Sequence, residues 1–282
     1  MNVSPRFLGR GSWLARRDPR VLVIVIIGFS IAMIQLWDIR VVIPMVALAL
    51  FYYRLAGIRF ADVRRNWIGA IILITFIVTL NSILTGNRLR DMGITEVHPY
   101  FQIPVIGTTV SAESLMYAGA QWLRYLSMVT VGFPLAFCMA PSDFGVTFAR
   151  LGIPEKFAFG VDLTFRFVPS LAADFQETID AQKIRGYEPG QGGSPIARLR
   201  RIGPVLTPLT IGAIAGAEDT IDAMDMRAFG TGKRTWLRHL AFDPTDRAVV
   251  AFFLGLALVI TILNVTTSVG QVWTPSFMLP GG

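Results

Sequence analysis

Apolar residues run in five blocks along the chain, at positions 21–36, 41–55, 67–84, 114–140 and 248–269, and polar residues gather between them. A helix needs about 20 residues to cross the hydrocarbon of a bilayer, with a lower bound of roughly 17, so the last three blocks are long enough as they stand. The first two are shorter. Their flanks "LWDI" and "AGI" extend them, and the four-residue break at 37–40 suits a tight helical hairpin. The pattern therefore predicts about five transmembrane helices.

The composition points the same way. Of 282 residues, 53% are hydrophobic and 16% charged, with a mean hydropathy of +0.54, too apolar for an ordinary soluble domain. The net charge of +7 comes mostly from arginines clustered in short segments, a distribution that suits membrane topology better than nucleic-acid binding and leaves room for an acidic protein partner. Arg6, Arg10, Arg16, Arg17 and Arg20 precede the first block, and Arg54, Arg59, Arg64 and Arg65 lie between the second and third. Positive residues near helix ends are retained in the cytoplasm, so the N-terminus and the 141–247 region are expected there. The mixed-charge loop 85–113 and the uncharged tail after 269 are expected outside. The long basic start and the lack of a small-x-small site after the first block argue against a cleavable signal. The organisation expected is 1–140 with four spans, 141–247 as a cytoplasmic helical region, and 248–282 with the last span and an external tail.

Within 141–247 the period changes. "APSDFGVTFARLGIP" predicts a short amphipathic helix, capped by Ser142 or Asp143 and ended by Gly152 ahead of Pro154. Val168, Leu171, Phe175 and Ile179 recur at helical spacing, with Asp174, Glu177 and Asp180 elsewhere around the barrel. This predicts a long amphipathic helix, bent near Pro169 and stopped at Gly186. "YEPGQGGSP" is a loop by composition, and "ARLRR" is a basic patch suited to the headgroup boundary. From Pro204 a second helix is expected to run to Arg227. Its Gly212 and Gly216, four apart, predict a tight crossing of the two cytoplasmic helices.

Chemistry-bearing constellations are scarce. Cys138 is the only cysteine, which excludes a disulfide within the chain and thiolate metal clusters. His98 and His239 have no metal-binding spacing. "FGTGKRT" fails as a phosphate-binding loop: Arg227 stands where the first glycine belongs and Arg234 where Ser or Thr must follow lysine, so the chain itself is not expected to bind nucleotide. No Ser/His/Asp set, paired intramembrane carboxylates or HExxH supports catalysis. Arg124, inside the fourth block, is a functional candidate as an intramembrane charge, with snorkelling or pairing inside the bundle as the alternative. Pro134 is expected to kink the same helix, and Arg166 to anchor at the membrane boundary.

One polar decapeptide occurs twice. "TIDAQKIRGY" at 178–187 returns at 220–229 as "TIDAMDMRAF", each at the end of an expected helix. Arg185 and Arg227 are equivalent, each one turn beyond a small residue, Ala181 or Ala223, which leaves a flat face beside a guanidinium able to grip carboxylates or helix-end carbonyls. Ordinary C-terminal capping explains an arginine followed by glycine, worth about 0.3–1 kcal/mol, but it does not require the shared Thr-Ile-Asp-Ala, and Ala228 replaces the glycine in the second copy. Two equivalent projections suit a partner with two equivalent sockets, as a two-fold dimer has.

From about Leu123 to Thr235 the chain resembles, in order and spacing, the transmembrane T component of energy-coupling factor transporters (the CbiQ/EcfT-like family). The likeness rests on "LRYLSMVTVGFPLAFCMAPSDFGVTFARLGIP", "DLTFRFVPSLAADFQETIDAQKIRGYEPG", "RLRRIGPVLTPLT" and "AMDMRAFGTGKRT"; the earlier spans match only as hydrophobic helices. Both family signatures, Ala-Arg-Gly, are altered: Ile184-Arg185-Gly186 and Met226-Arg227-Ala228. The resemblance implies an all-α membrane protein of the prokaryotic inner membrane that binds no cofactor itself. It also implies two cytoplasmic ATPases, identical or not, that bind ATP and Mg and each receive one arginine, and a small S component that binds the vitamin or metal and sits against the coupling helices. The alternatives are a permease or carrier forming its own pathway, against which stand the missing "EAA…G" loop and paired bundles, and a membrane-embedded enzyme.

Overall fold

The computed structural model describes residues 11–85, 99–103, 108–187, 202–232 and 240–267. Its helices are α1 (Pro19–Ile34), α2 (Ile39–Leu55), α3 (Phe60–Thr85), α4 (Ala112–Cys138), α5 (Phe144–Arg150), α6 (Glu155–Ile184), α7 (Gly203–Asp225) and α8 (Pro244–Thr266). Each of the five apolar blocks became one helix, and α1 and α2 meet at the expected short break. The all-α expectation needs one correction. Strands β1 (Pro99–Ile103) and β2 (Thr108–Ser111) form an antiparallel hairpin in the stretch expected to be a loop, with Gln102 opposite Thr109 and Ile103 opposite Thr108. The aromatic, β-branched composition of "PYFQI" and "TTVS" favours strand.

The chain forms two compact units, one from Arg6–Ala140 with Ala241–Gly282 and one containing Pro141–Leu240. In the first, aspartates begin three helices. Asp18 and Asp38 accept the backbone N–H of Arg20 and Arg40, 2.9 Å each, satisfying free donors at the starts of α1 and α2. At the start of α8, Asp246 accepts the N–H of Asp243 at 3.2 Å, while Arg17 donates to Asp243 at 3.3 Å and ties the approach to α1 to this end.

α4 is the hub of this unit, with α1, α2 and α3 all packed on it, and α1 also lies along α8. Gly28 permits that second approach: a Cβ there would stand 3.3 Å from the Phe253 carbonyl oxygen. Tyr53, Trp67, Phe133 and Phe137 form an aromatic cluster across α2, α3 and α4, with Trp67 stacked on Phe133 at 4.8 Å between centroids. Among the described side chains of α3 only Val63, Trp67, Ile74 and Val78 are buried, a single narrow stripe, while Ile72, Leu73, Phe76 and Leu80 face outward. An outward face this apolar is what lipid solvates and water does not.

α3 (over Phe60–Ile83) and α8 are long and apolar enough to cross a membrane, and a third span results if α4 is counted together with the short helix that follows it. α1 is apolar but has 16 residues, and α2 has 17, about 26 Å of helix against a hydrocarbon core of about 30 Å.

In the second unit, a 3₁₀ turn at Pro141–Asp143 leads into α5. The expected cap is absent: neither Ser142 nor Asp143 bonds the free N–H groups of α5, and the Ser142 hydroxyl instead donates to Asp143 at 3.3 Å. Gly152, at φ 94°, ends α5 as expected. α6 runs unbroken through Pro169 for 30 residues, so the expected bend does not interrupt the helix. The close approach in this unit is at Gly145, not at Gly212 and Gly216. A Cβ on Gly145 would sit 2.6 Å from Asp162 Cβ and 2.9 Å from the Ala158 carbonyl, which brings α5 flush with α6. Gly212 and Gly216 are exposed, and a Cβ on either would meet nothing within 4 Å, so they do not make the tight crossing expected of them.

Candidate functional site

The two decapeptides end α6 and α7 in the same hydrogen-bonded turn. In the first, the N–H of Gly186 donates to Lys183 O at 2.9 Å and that of Tyr187 to Gln182 O at 2.9 Å. In the second, Ala228 donates to Asp225 O at 2.9 Å and Phe229 to Met224 O at 3.0 Å. These paired bonds are the Schellman motif, which satisfies the last free carbonyls of a helix and requires one residue in the left-handed conformation. Gly186 supplies it at φ 78° and Ala228 at φ 55°. Among the described residues Ala228 is the only non-glycine with positive φ. The missing glycine therefore does not set the second copy apart from capping, as the sequence had led one to expect: both copies cap.

Capping leaves the side chains unexplained. Arg185 and Arg227 are both exposed, as are Ala181 and Ala223 one turn before them. Neither guanidinium makes an ion pair or hydrogen bond among the described residues. Beside each stands a large apolar side chain, Ile184 at 89% exposure and Met226 at 88%. A water-facing helix end that needs only a cap has no use for a bare isoleucine or methionine at its most exposed position. The sequence carried these residues as signature neighbours without showing that both project.

The turns match in shape and differ in charge. Asp180 accepts from Lys183 at 2.8 Å and from Gln176 at 3.3 Å, and the Lys183 hydrogen bond is the main reason its carboxyl is held below the usual range. The equivalent residues on α7 are Glu218, Asp222 and Asp225, an exposed acidic face.

The structure does not bring the two arginines together. Phe229, just past the second turn, packs on Phe159 near the start of α6, with ring centroids 4.7 Å apart. Arg185 lies twenty-six residues further along α6, about 39 Å at 1.5 Å per residue. The α7 end thus lies by the beginning of α6, and the arginines mark two well-separated points. A cleft of about 390 Å³ lined by Glu155, Lys156, Phe159, Phe229, Gly230 and Gly232 adjoins the second end only.

Pro169 lies within α6 and is exposed, and so is Arg166. Arg124 is resolved as an internal residue. It is 7% exposed, its Cζ stands 3.9 Å from the Trp37 ring centroid, and it donates to the Ile34 carbonyl at 3.4 Å, at the C-terminal end of α1. Trp37 in turn stacks on Tyr117 at 4.9 Å. The cation is held by a helix's negative end and an aromatic face, so it pairs inside the bundle rather than snorkelling. Its Nε and the Oε1 of Gln121, one turn earlier, are buried with no hydrogen-bond partner among the described residues. The 188–201 loop and basic patch, Lys233, Arg234, and the tail beyond 267 lie outside the described residues.

Apolar helices whose outer faces suit lipid, and a second unit of exposed amphipathic helices that carries the paired arginine turns, describe a membrane protein. Residues 10–236 match the family described as CbiQ, cobalt transport protein, and the chain belongs to that family. It is 28% identical over 273 residues to the energy-coupling factor transporter transmembrane protein EcfT of Leuconostoc gelidum subsp. gasicomitatum, covering 92% of this chain and 96% of that one. Proteins of the same name from Heliobacterium modesticaldum (29% over 262 residues, 88% and 91% covered) and Staphylococcus aureus (24% over 268, 92% and 96%) are similar along nearly their whole length.

Proposed function

We propose that this chain is the T component of an energy-coupling factor importer. It couples two cytoplasmic ATPases to a separate S component that binds the transported vitamin or metal. The observation that carries the reading is the matched pair of exposed arginines, Arg185 and Arg227, on turns of the same form, one at the far end of α6 and the other on the α7 end that packs by the start of α6. Each guanidinium, with Ala181 or Ala223 behind it and Ile184-Gly186 or Met226-Ala228 around it, enters one ATPase. ATP and Mg bind the partners, and this chain supplies no cofactor site. ATP-driven closure of the pair moves the two turns relative to each other, and the rigid helices α6 and α7 transmit that motion. The exposed face of α7 bearing Gly212 and Gly216 supports a role in receiving the S component, because small residues let another helix approach closely.

In this reading α1–α4 and α8 are five spans, the N-terminus and the 141–247 region are cytoplasmic, and the C-terminus is outside. α1 and α2 span by recruiting their flanks. The test is copurification of tagged chain with its ATPases from native membranes. Arg185→Ala and Arg227→Ala each reduce ATPase recovery, the double change more so, with membrane insertion intact. Full recovery with both variants overturns the assignment.

A further inference from the structure

The two turns are alike in shape and opposite in charge, and this bears on what receives them. From Thr178 to Tyr187 the side chains carry Asp180, Lys183 and Arg185, a net +1; from Thr220 to Phe229 they carry Asp222, Asp225 and Arg227, a net −1. The reversal falls on equivalent exposed positions, Lys183 in one copy and Asp225 in the other. Further back on the same helix face, where residues four and seven apart align, Asp180 matches Asp222 and neutral Gln176 stands against Glu218, so the faces compared are Gln176, Asp180 and Lys183 on α6 and Glu218, Asp222 and Asp225 on α7. The first face is neutral overall and the second carries three negative charges. The turn, the arginine, the exposed apolar residue before it and the aromatic residue after it are common to both ends.

Resting on the ATPase-docking reading, we infer that the two ends are addressed by charge: the α6 end docks a socket rimmed with acidic residues opposite Lys183, and the α7 end a socket rimmed with basic residues opposite Glu218, Asp222 and Asp225. The occupant is the ATPase pair, and its two sockets differ electrostatically, which a strictly two-fold pair of identical subunits does not provide. Shape admits either socket to either end. Like-charge juxtaposition in the wrong pairing supplies the discrimination, since rim charges govern encounter and partner choice more than final affinity.

The experiment reverses the charge at one end at a time in the full-length, detergent-solubilised chain, with Lys183→Asp or Asp225→Lys, so that turning the pair round cannot restore a match at both ends. The ATPase pair that copurifies with the unmodified chain is titrated back as the probe. Expected is an affinity loss of about tenfold at low salt that largely disappears at about 0.5 M salt, with a smaller loss for the neutral pair Lys183→Gln and Asp225→Asn. Both positions are exposed and the turn bonds are backbone bonds, so the neutral pair keeps the test open if a reversed chain proves unstable. Wild-type affinity for both single reversals and for the neutral pair, while Arg185→Ala with Arg227→Ala abolishes binding, overturns the charge address and leaves the docking reading standing. Undiminished binding by the arginine double variant removes the docking reading, and this inference with it.

Discussion

Ala228 stands in the second helix end where Gly186 stands in the first, and adopts the same left-handed conformation, φ 55° against 78°. The left-handed conformation costs an L-residue roughly 1–2 kcal/mol that glycine does not incur. The turn of hydrogen bonds around Ala228 therefore holds in spite of its central residue. The repeat preserves a geometry where it has lost the residue best suited to it.

That strain sets the sign of two substitutions. Ala228→Gly stabilises the α7 end by up to about 1 kcal/mol, the relief of left-handed strain being partly offset by the freedom glycine gains when unfolded. Gly186→Ala destabilises the α6 end by a similar amount. Amide hydrogen exchange at Phe229 and Tyr187, the donors that close the two turns, reads each change separately. Slower exchange at Phe229 and faster at Tyr187 is the expected pattern, and changes of the same sign at both contradict the shared geometry.

Lysine in place of Arg185 or Arg227 keeps the charge but loses the planar, multi-donor fork. ATPase copurification with either lysine variant is expected to fall between that of wild type and the alanine variant. Recovery equal to wild type indicates that a point charge suffices and that no bidentate grip exists. Recovery equal to alanine indicates that the fork is the whole of the contact.

Much of this was legible in the residues, and the failures have physical causes. Five apolar blocks gave five helices because length and hydropathy decide a helix in lipid with little help from tertiary contacts. The repeat gave equivalent arginines by alignment alone. The Gly212 and Gly216 spacing misled because spacing shows that a helix offers a flat face, not which neighbour uses it. Gly145 does the close packing, and a lone glycine in "SDFGVTF" carries no periodicity to reveal that. Arg124 was visible as an intramembrane charge. Its partners were not, because Trp37 and the Ile34 carbonyl lie some ninety residues earlier in the chain.

The Arg124 cluster makes its own prediction. Trp37→Leu uncovers a buried cation, and Arg124→Met removes the charge but also its bond to the end of α1. Without the charge, the missing ring costs less. The double variant should therefore lose less stability than the two single changes added together, with a coupling of about 1–2 kcal/mol. Strict additivity in detergent thermal unfolding shows that the stacked geometry carries no interaction energy.

The glycines of the second unit separate packing from docking. A methyl on Gly145 meets Asp162 Cβ at 2.6 Å and the Ala158 carbonyl at 2.9 Å, and backbone of this kind cannot yield cheaply. Gly145→Ala is therefore expected to force α5 off α6 and cost about 1–3 kcal/mol. Gly212→Ala and Gly216→Ala meet no atom within 4 Å and remove glycine from a helix interior, so each stabilises α7 in the isolated chain by up to about 1 kcal/mol. If that open face receives the S component, the same two variants assemble poorly with it although the chain itself is more stable. Thermal unfolding of the purified chain and copurification of the S component read the two effects independently. Gains in both place the S component elsewhere, and a loss of stability at Gly212 or Gly216 places a packing partner on a face that stands open here.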